Sequence, residues 1–170
     1  MIKQDILENQ ARSIYLGIGS NLGNKKKNIE KAKFELSEKN IKILQSSNYY
    51  ESISWPNPKN PKFLNIVIEI KTSLKPLELL IICKKIEKSL GRIKSVRNSP
   101  RICDIDILDY NRKCLNQNIT LPHPRMHKRN FVLLPLFEIN KDWVHPTLKS
   151  HIKRLILLLP NRDIRTIKQI

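Results

Sequence analysis

Apolar positions along the chain switch between two periods. Residues 14–18 (Ile-Tyr-Leu-Gly-Ile) form a short run that reads as a buried strand. The Gly19-Ser20-Asn21-Leu22-Gly23-Asn24 cluster after it marks a turn, with Asn24 placed to cap a helix. Ile29, Ala32 and Leu36 then recur at helical spacing among Lys and Glu, which predicts an amphipathic helix over 25–38. A strand is expected over about 41–50, followed by a loop holding Pro56, Pro58 and Pro61. Leu64, Ile66, Ile68 and Ile70 alternate along a second long strand. Pro76 opens a helix whose buried side is Leu79, Cys83, Ile86 and Leu90, and Gly91 closes it. A basic loop from Arg92 to Arg101 leads into a strand at about 102–109.

The predicted order is β-α-β-β-α-β. It points to an α+β, ferredoxin-like antiparallel sheet with both helices on one face. A small hairpin at about 113–120, helices over 132–138 and 148–159, and an extended tail complete the expectation. Residues 1–12 read as an N-terminal extension and 13–170 as a single domain, with no repeat or low-complexity stretch.

Side chains alternate across a strand, so parity assigns faces. The even residues of the 64–70 strand belong under the helices, while Phe63, Asn65 and Glu69 point away. On the 102–109 strand Ile105 and Ile107 belong to the core and Asp104 and Asp106 point away. Two strands therefore send an aromatic, an amide and two carboxylates to the face expected to be free of helices.

Composition changes this picture little. At 170 residues and 40% hydrophobic, the chain can bury one core without staples. Cys83, Cys103 and Cys114 form no CxxC pair, which fits reduced, mostly buried thiols. Neither residues 1–12 nor the run at 155–159 suits a signal peptide or a membrane span, so a cytoplasmic protein without membrane attachment is expected. The net charge of +17 favours polyanions in general, from nucleic acid to a nucleotide triphosphate. Scattered lysines of the kind AT-rich coding produces would give the same number.

The candidate chemistry centres on Asp104-Ile105-Asp106. Carboxylates at i and i+2 on a strand are roughly 7 Å apart at Cα and can converge on two hard cations. A DxD alone is a weak signal, more often a pair of solvated strand-edge aspartates. Arg92, Lys94, Arg97 and Arg101 sharpen it, because guanidinium groups beside metal-binding carboxylates suit a shared polyanion. His123 and His127 have a metal-like spacing, but Pro122 and Pro124 break the helix such a pair needs, so His123 suits a phosphate better. His145 and His151 carry no constellation. The βαββαβ layout is shared with RNA-recognition modules, but acidic strand residues and the absence of an RNP-like string argue against nucleic acid.

Four separated stretches extend these observations. They are Gly17-Ile18-Gly19-Ser20-Asn21-Leu22-Gly23; Phe63-Leu64-Asn65; Glu87 and Gly91-Arg92 running on to Pro100-Arg101-Ile102-Cys103-Asp104-Ile105-Asp106-Ile107-Leu108; and Leu121-Pro122-His123 through Arg129-Asn130-Phe131 with Pro135-Leu136. With these, the chain from about Ser13 onward resembles the 6-hydroxymethyl-7,8-dihydropterin pyrophosphokinases of folate biosynthesis. The resemblance implies transfer of the β,γ-pyrophosphoryl group of ATP to the pterin hydroxymethyl oxygen, with release of AMP. It implies Asp104 and Asp106 as ligands of two Mg²⁺, and Arg92, Lys94, Arg97 and Arg101 as the phosphate-binding loop, Arg92 and Arg97 sharing in catalysis. Thr120 and His123 match ATP contacts and Glu87 lies near the nucleotide. Phe63 and Phe131 match the pair that sandwiches the pterin, Asn65 the amide that reads its edge, and Ser52 and Arg129 further substrate contacts. Loops at about 53–61 and 92–101 are the expected lids, and a monomer acting on small molecules is expected. The chain departs from the commoner pattern at Asn98 and Ser99, where a Trp-Gly pair is frequent, at Lys94 in place of arginine, and at Asn118 and Pro124; the basic loop is also slightly short.

Overall fold

A computed structural model describes residues 13–54, 57–92 and 99–170. In chain order the elements are β1 (Ile14–Ser20), α1 (Lys25–Glu38), β2 (Lys42–Ser46), β3 (Tyr50–Ser52), β4 (Phe63–Lys71), α2 (Pro76–Ser89) and β5 (Asp104–Tyr110). There follow β6 (Leu115–Asn116), β7 (Thr120–Leu121), a 3₁₀ turn (Met126–Lys128), α3 (Asn130–Ile139), α4 (Ile152–Leu157), α5 (Asn161–Arg165) and β8 (Lys168–Gln169). The main sheet runs β5-β1-β4-β3-β8, with β2 also paired to β4, and every pairing is antiparallel.

Local chemistry sets the element ends. Asn24 accepts the Lys27 N–H at 3.0 Å and starts α1. Pro76 stands at the first turn of α2, where its missing N–H costs nothing. Gly91, with φ +98°, ends α2 in a left-handed turn: its own N–H reaches the Lys88 carbonyl, and the Arg92 N–H reaches the Glu87 carbonyl, both at 3.0 Å.

The expected parity holds. Leu64, Ile66, Ile68 and Ile70 join Ile105 and Ile107 in a core beneath α1 and α2, with Ile29, Ala32, Leu36, Leu79, Cys83 and Ile86. The opposite face is not bare as expected. Tyr15, Val67 and Leu108 on that face pack against Val132, Leu133 and Leu136 of α3, Trp143, and Ile152 and Leu155 of α4. This second core covers one end of the face and leaves the other end, at Gly17, Gly19, Phe63, Asn65, Asp104 and Asp106, lining a cavity.

Three predicted elements differ. The strand expected over 41–50 is two, because the Ser47 hydroxyl accepts the Val67 N–H at 3.0 Å and interrupts the ladder between β2 and β3. The helix expected over 148–159 begins only at Ile152: His151 pairs with Val144 and its Nδ1 accepts the Lys153 N–H, so the preceding residues belong to a turn. The extended tail includes α5 and ends as an edge strand on β3. Among the described residues no helix is long and apolar enough to cross a membrane. Cys83 and Cys103 are buried free thiols, each pushed up to about 12 first by burial, while Cys114 is exposed.

Candidate active site

Two glycines make the site possible. Across β1, Gly19 pairs with both Asn65 and Asp104, and Gly17 with both Val67 and Asp106. A side chain on either glycine would stand between the acidic strand and the amide strand. At Gly19 a Cβ would lie 3.0 Å from Asn65 Oδ1 and 3.4 Å from the Phe63 ring, and at Gly17 it would touch Leu108. With no side chains there, a cavity of about 230 Å³ opens over the strand.

Its one side is built for a planar polar group. Phe63 and Phe131 both line it. The Asn65 amide is buried, and its Nδ2 donates to the Ser52 hydroxyl at 2.9 Å and the Tyr50 carbonyl at 3.3 Å. A carbonyl can only accept, so the NH₂ group must face that way and Oδ1 is presented toward Gly19 and the cavity. Ser52 lines the cavity too, with its hydroxyl committed to holding Asn65.

The other side is charged. Asp104 accepts from Arg92 at 2.7 Å and Arg101 at 2.9 Å, and Asp106 from Arg129 at 3.3 Å. Burial would raise the Asp104 pKa, but Arg101, Arg92 and Lys84 outweigh it and hold the carboxyl below its usual range. His123 Nδ1 accepts the Arg125 N–H at 3.2 Å, which favours the neutral tautomer with its proton on Nε2, 3.7 Å from Asp106 Oδ2; the longer 3.5 Å approach of Arg129 Nη1 to Nε2 opposes it only weakly. Burial lowers the His123 pKa against the pull of Asp106, with Arg129 and Arg125 adding to the depression, which favours that neutral ring. The Arg129 guanidinium also lies over the Phe131 ring, 5.4 Å from its centre.

Of the residues singled out in the sequence, Ser52, Phe63, Asn65, Arg92 and Arg101 line this cavity, and so do Asp104, Asp106, His123, Arg129 and Phe131. Thr120 is exposed on the β6–β7 hairpin, its hydroxyl bonded to Asn116 rather than turned to the cavity wall. Glu87 is buried behind the wall, bonded to Lys84, Arg92 and the Ile105 N–H. Lys94 and Arg97 lie outside the described residues, as do Asn98, Pro56 and the extension at 1–12.

Other lining residues escaped the sequence reading. Among the described residues, Lys84 and Arg125 bring the cations of the wall to five against two carboxylates, a balance suited to a polyanion. Lys84 could have been found three positions before Glu87 on α2. Asn21, read only as a turn residue, is a buried junction: its Nδ2 donates to Pro61 O at 3.1 Å and Ser54 Oγ at 3.3 Å, while its Oδ1 accepts the Arg101 N–H at 2.7 Å. It thereby ties both expected lid loops to the end of β1.

The donor set suits a hard divalent cation. Asp104 and Asp106 offer only carboxylate oxygens, and the described residues hold no cluster of three or more ligating side chains that would enclose a metal alone. Magnesium typically takes one or two carboxylates and completes its shell with phosphate and water, so the pair fits Mg²⁺ shared with a phosphorylated ligand.

Comparison with known proteins agrees with this geometry. The model of the family described as 7,8-dihydro-6-hydroxymethylpterin-pyrophosphokinase matches residues 15–141. The chain is 40% identical over 142 residues to the 2-amino-4-hydroxy-6-hydroxymethyldihydropteridine pyrophosphokinase of Aquifex aeolicus, covering 83% of this chain and 88% of that one. It is 39% identical over 165 residues to the folic acid synthesis protein fol1 of Pneumocystis carinii, covering 96% of this chain but only 22% of the relative's length. In fold it is similar to the crystal structure of Plasmodium falciparum HPPK-DHPS with pterin and p-hydroxybenzoate, with a TM-score of 0.72 at 18% identity, over 93% of this chain and 46% of that one.

Proposed function

Since this chain belongs to the 7,8-dihydro-6-hydroxymethylpterin-pyrophosphokinase family, we propose that it transfers pyrophosphate from ATP to 6-hydroxymethyl-7,8-dihydropterin and releases AMP, a step of folate biosynthesis. One observation carries the reading: the acid pair Asp104 and Asp106 shares a cavity wall with Asn65, Phe63 and Phe131. A polyphosphate site and a flat polar site thus meet edge to edge.

The pterin ring lies between Phe63 and Phe131, and Asn65 Oδ1 accepts from its amino–amide edge. That seats the hydroxymethyl group toward β5. Arg92, Arg101, Arg129 and His123 Nε2–H bind the phosphate oxygens, joined by Lys94 and Arg97 of the basic loop. Thr120 serves the nucleotide from the β6–β7 hairpin, and Glu87 serves it through its neighbours. Asp104 and Asp106 would hold two Mg²⁺, which would supply neutralisation of charge on the triphosphate. The hydroxymethyl oxygen attacks the β-phosphorus in line. The new O–Pβ bond forms as the bond from Pβ to the α,β-bridging oxygen breaks; AMP departs with that oxygen, and the hydroxyl proton is released to solvent. The chain contributes position and charge rather than covalent chemistry. Loops 53–61 and 92–101 close over the reactants and exclude water, which would otherwise compete as nucleophile.

The βαββαβ part is read as ferredoxin-like, residues 13–170 as one domain, and the protein as a cytoplasmic monomer. The strand order β5-β1-β4-β3, antiparallel throughout, supports the first of these. The test is product analysis with ATP, Mg²⁺ and the hydroxymethyl-dihydropterin. AMP that appears only when the pterin is present supports the reading; ADP, or nucleotide breakdown indifferent to the pterin, refutes it.

A further inference from the structure

Glu87 is 1% exposed, yet it is surrounded by charge. Burying a carboxylate costs free energy unless opposite charges and N–H groups satisfy it. Here the satisfaction is complete. Oε1 accepts from Lys84 Nζ at 2.6 Å and from the Ile105 N–H at 2.7 Å, and Oε2 accepts from Arg92 Nη1. The same Arg92 nitrogen goes on to Asp104 Oδ1 at 2.7 Å. Lys84 and Arg92 line the cavity, whereas Glu87 stands behind them.

The backbone repeats this convergence. The left-handed turn at Gly91 folds the chain back so that the Arg92 N–H bonds the Glu87 carbonyl. Glu87 therefore grips Arg92 at both its main chain and its guanidinium. Its bond to Ile105, the residue between the two aspartates, fixes the end of α2 against β5.

Resting on the pyrophosphokinase reading, we propose that Glu87 is a positioning residue that aims Lys84 and Arg92 as a clamp on the nucleotide's phosphates without touching the nucleotide, and that Lys84 is itself a phosphate-binding residue. When Arg92 leaves Asp104 for a phosphate oxygen, Glu87 keeps its guanidinium within reach. Lys84 needs only to swing from the Ile105 carbonyl, 3.4 Å away, to meet the same anion.

The test is calorimetric binding of the Mg²⁺ complex of α,β-methylene-ATP, alongside binding of the pterin. Glu87→Gln keeps an acceptor for Ile105 but loses the charge that holds both cations. It is expected to weaken the analogue at least tenfold and leave pterin affinity within twofold. Lys84→Met is expected to weaken the analogue about fivefold to tenfold, with Lys84→Arg retaining most of the affinity. In a Lys84→Met/Arg92→Ala background, adding Glu87→Gln should cost less than twofold, because its two agents are gone. A full cost in that background, or an equal loss of pterin affinity, overturns the positioning role. Should Glu87→Gln fail to fold, Lys84→Met still decides: unchanged analogue affinity overturns the clamp. If the wild-type protein binds no analogue, the pyrophosphokinase reading itself is what fails.

Discussion

Gly19→Ala probes the open sheet face with a single methyl group. The backbone at Gly19 is ordinary strand, unlike the left-handed Gly23 and Gly91, so no conformational strain enters. The new Cβ would stand 3.0 Å from Asn65 Oδ1 and 3.4 Å from Phe63 Cδ1. Asn65 is the group that must move, and it is pinned by Ser52 at 2.9 Å and Tyr50 at 3.3 Å. A retreat of a few tenths of an ångström weakens one of those bonds and misaligns Oδ1 for its ligand. Each hydrogen bond is worth about 1 kcal/mol, so the expected loss is about 1–2 kcal/mol, or roughly fivefold to thirtyfold in pterin dissociation constant. The three atoms nearest the Cβ belong to Asn65 and Phe63, not to Asp104 or the arginines, so affinity for a non-hydrolysable ATP analogue should stay within twofold. Titration calorimetry with each ligand reads both numbers. An unchanged pterin affinity would show that Asn65 does not contact the pterin, and equal losses for both ligands would show general disruption instead.

Phe131→Ala should weaken pterin binding by more than tenfold while ATP-analogue affinity stays near normal; calorimetry showing the reverse order would contradict the sandwich. Asn21→Ala removes three bonds at a buried junction and should lower stability by about 2–3 kcal/mol in urea unfolding, with faster proteolysis in the 53–61 and 92–101 loops; uniform protection of both loops would speak against a shared anchor. His145 is 4% exposed, and burial, with His127 adding to it, holds its pKa down to about 4 against an ordinary 6.5. The folded state thus keeps it neutral while the unfolded chain takes up a proton below 6.5. Its contribution is full above pH 6.5 and is lost as pH falls toward 4, by about 2 kcal/mol between pH 7.5 and 5. His145→Asn can accept the same Thr147 N–H without titrating, so its urea midpoint should change less over that range; an identical pH dependence would refute the assignment.

Much of this was legible because strand parity is a strict rule. Leu64, Ile66, Ile68 and Ile70 alternate without exception, and Asp104 and Asp106 bracket an isoleucine, so the faces follow from the residue order alone. What parity does not contain is where a distant element lands. Nothing local to 130–157 says that α3 and α4 fold onto Tyr15, Val67 and Leu108, which makes the open face half a face. The break at Ser47 was hidden because a side-chain hydroxyl stands in for a ladder bond, and a residue string does not distinguish the two. Lys84, and the place of Glu87 behind the cavity wall, were obscured for a related reason. Helical spacing puts them beside the buried stripe of α2, but only the packing of α2 on β5 turns them toward the aspartates.

The central claim is that the two aspartates on the open face are the centre at which transfer occurs. AMP formation by Asp104→Ala and Asp106→Ala, measured at saturating ATP, Mg²⁺ and hydroxymethyl-dihydropterin, tests it most directly. Each variant should remain folded and lose at least about a thousandfold in rate, in line with removal of a principal electrostatic element of a transfer site. Rates within tenfold of wild type in both variants would contradict the claim.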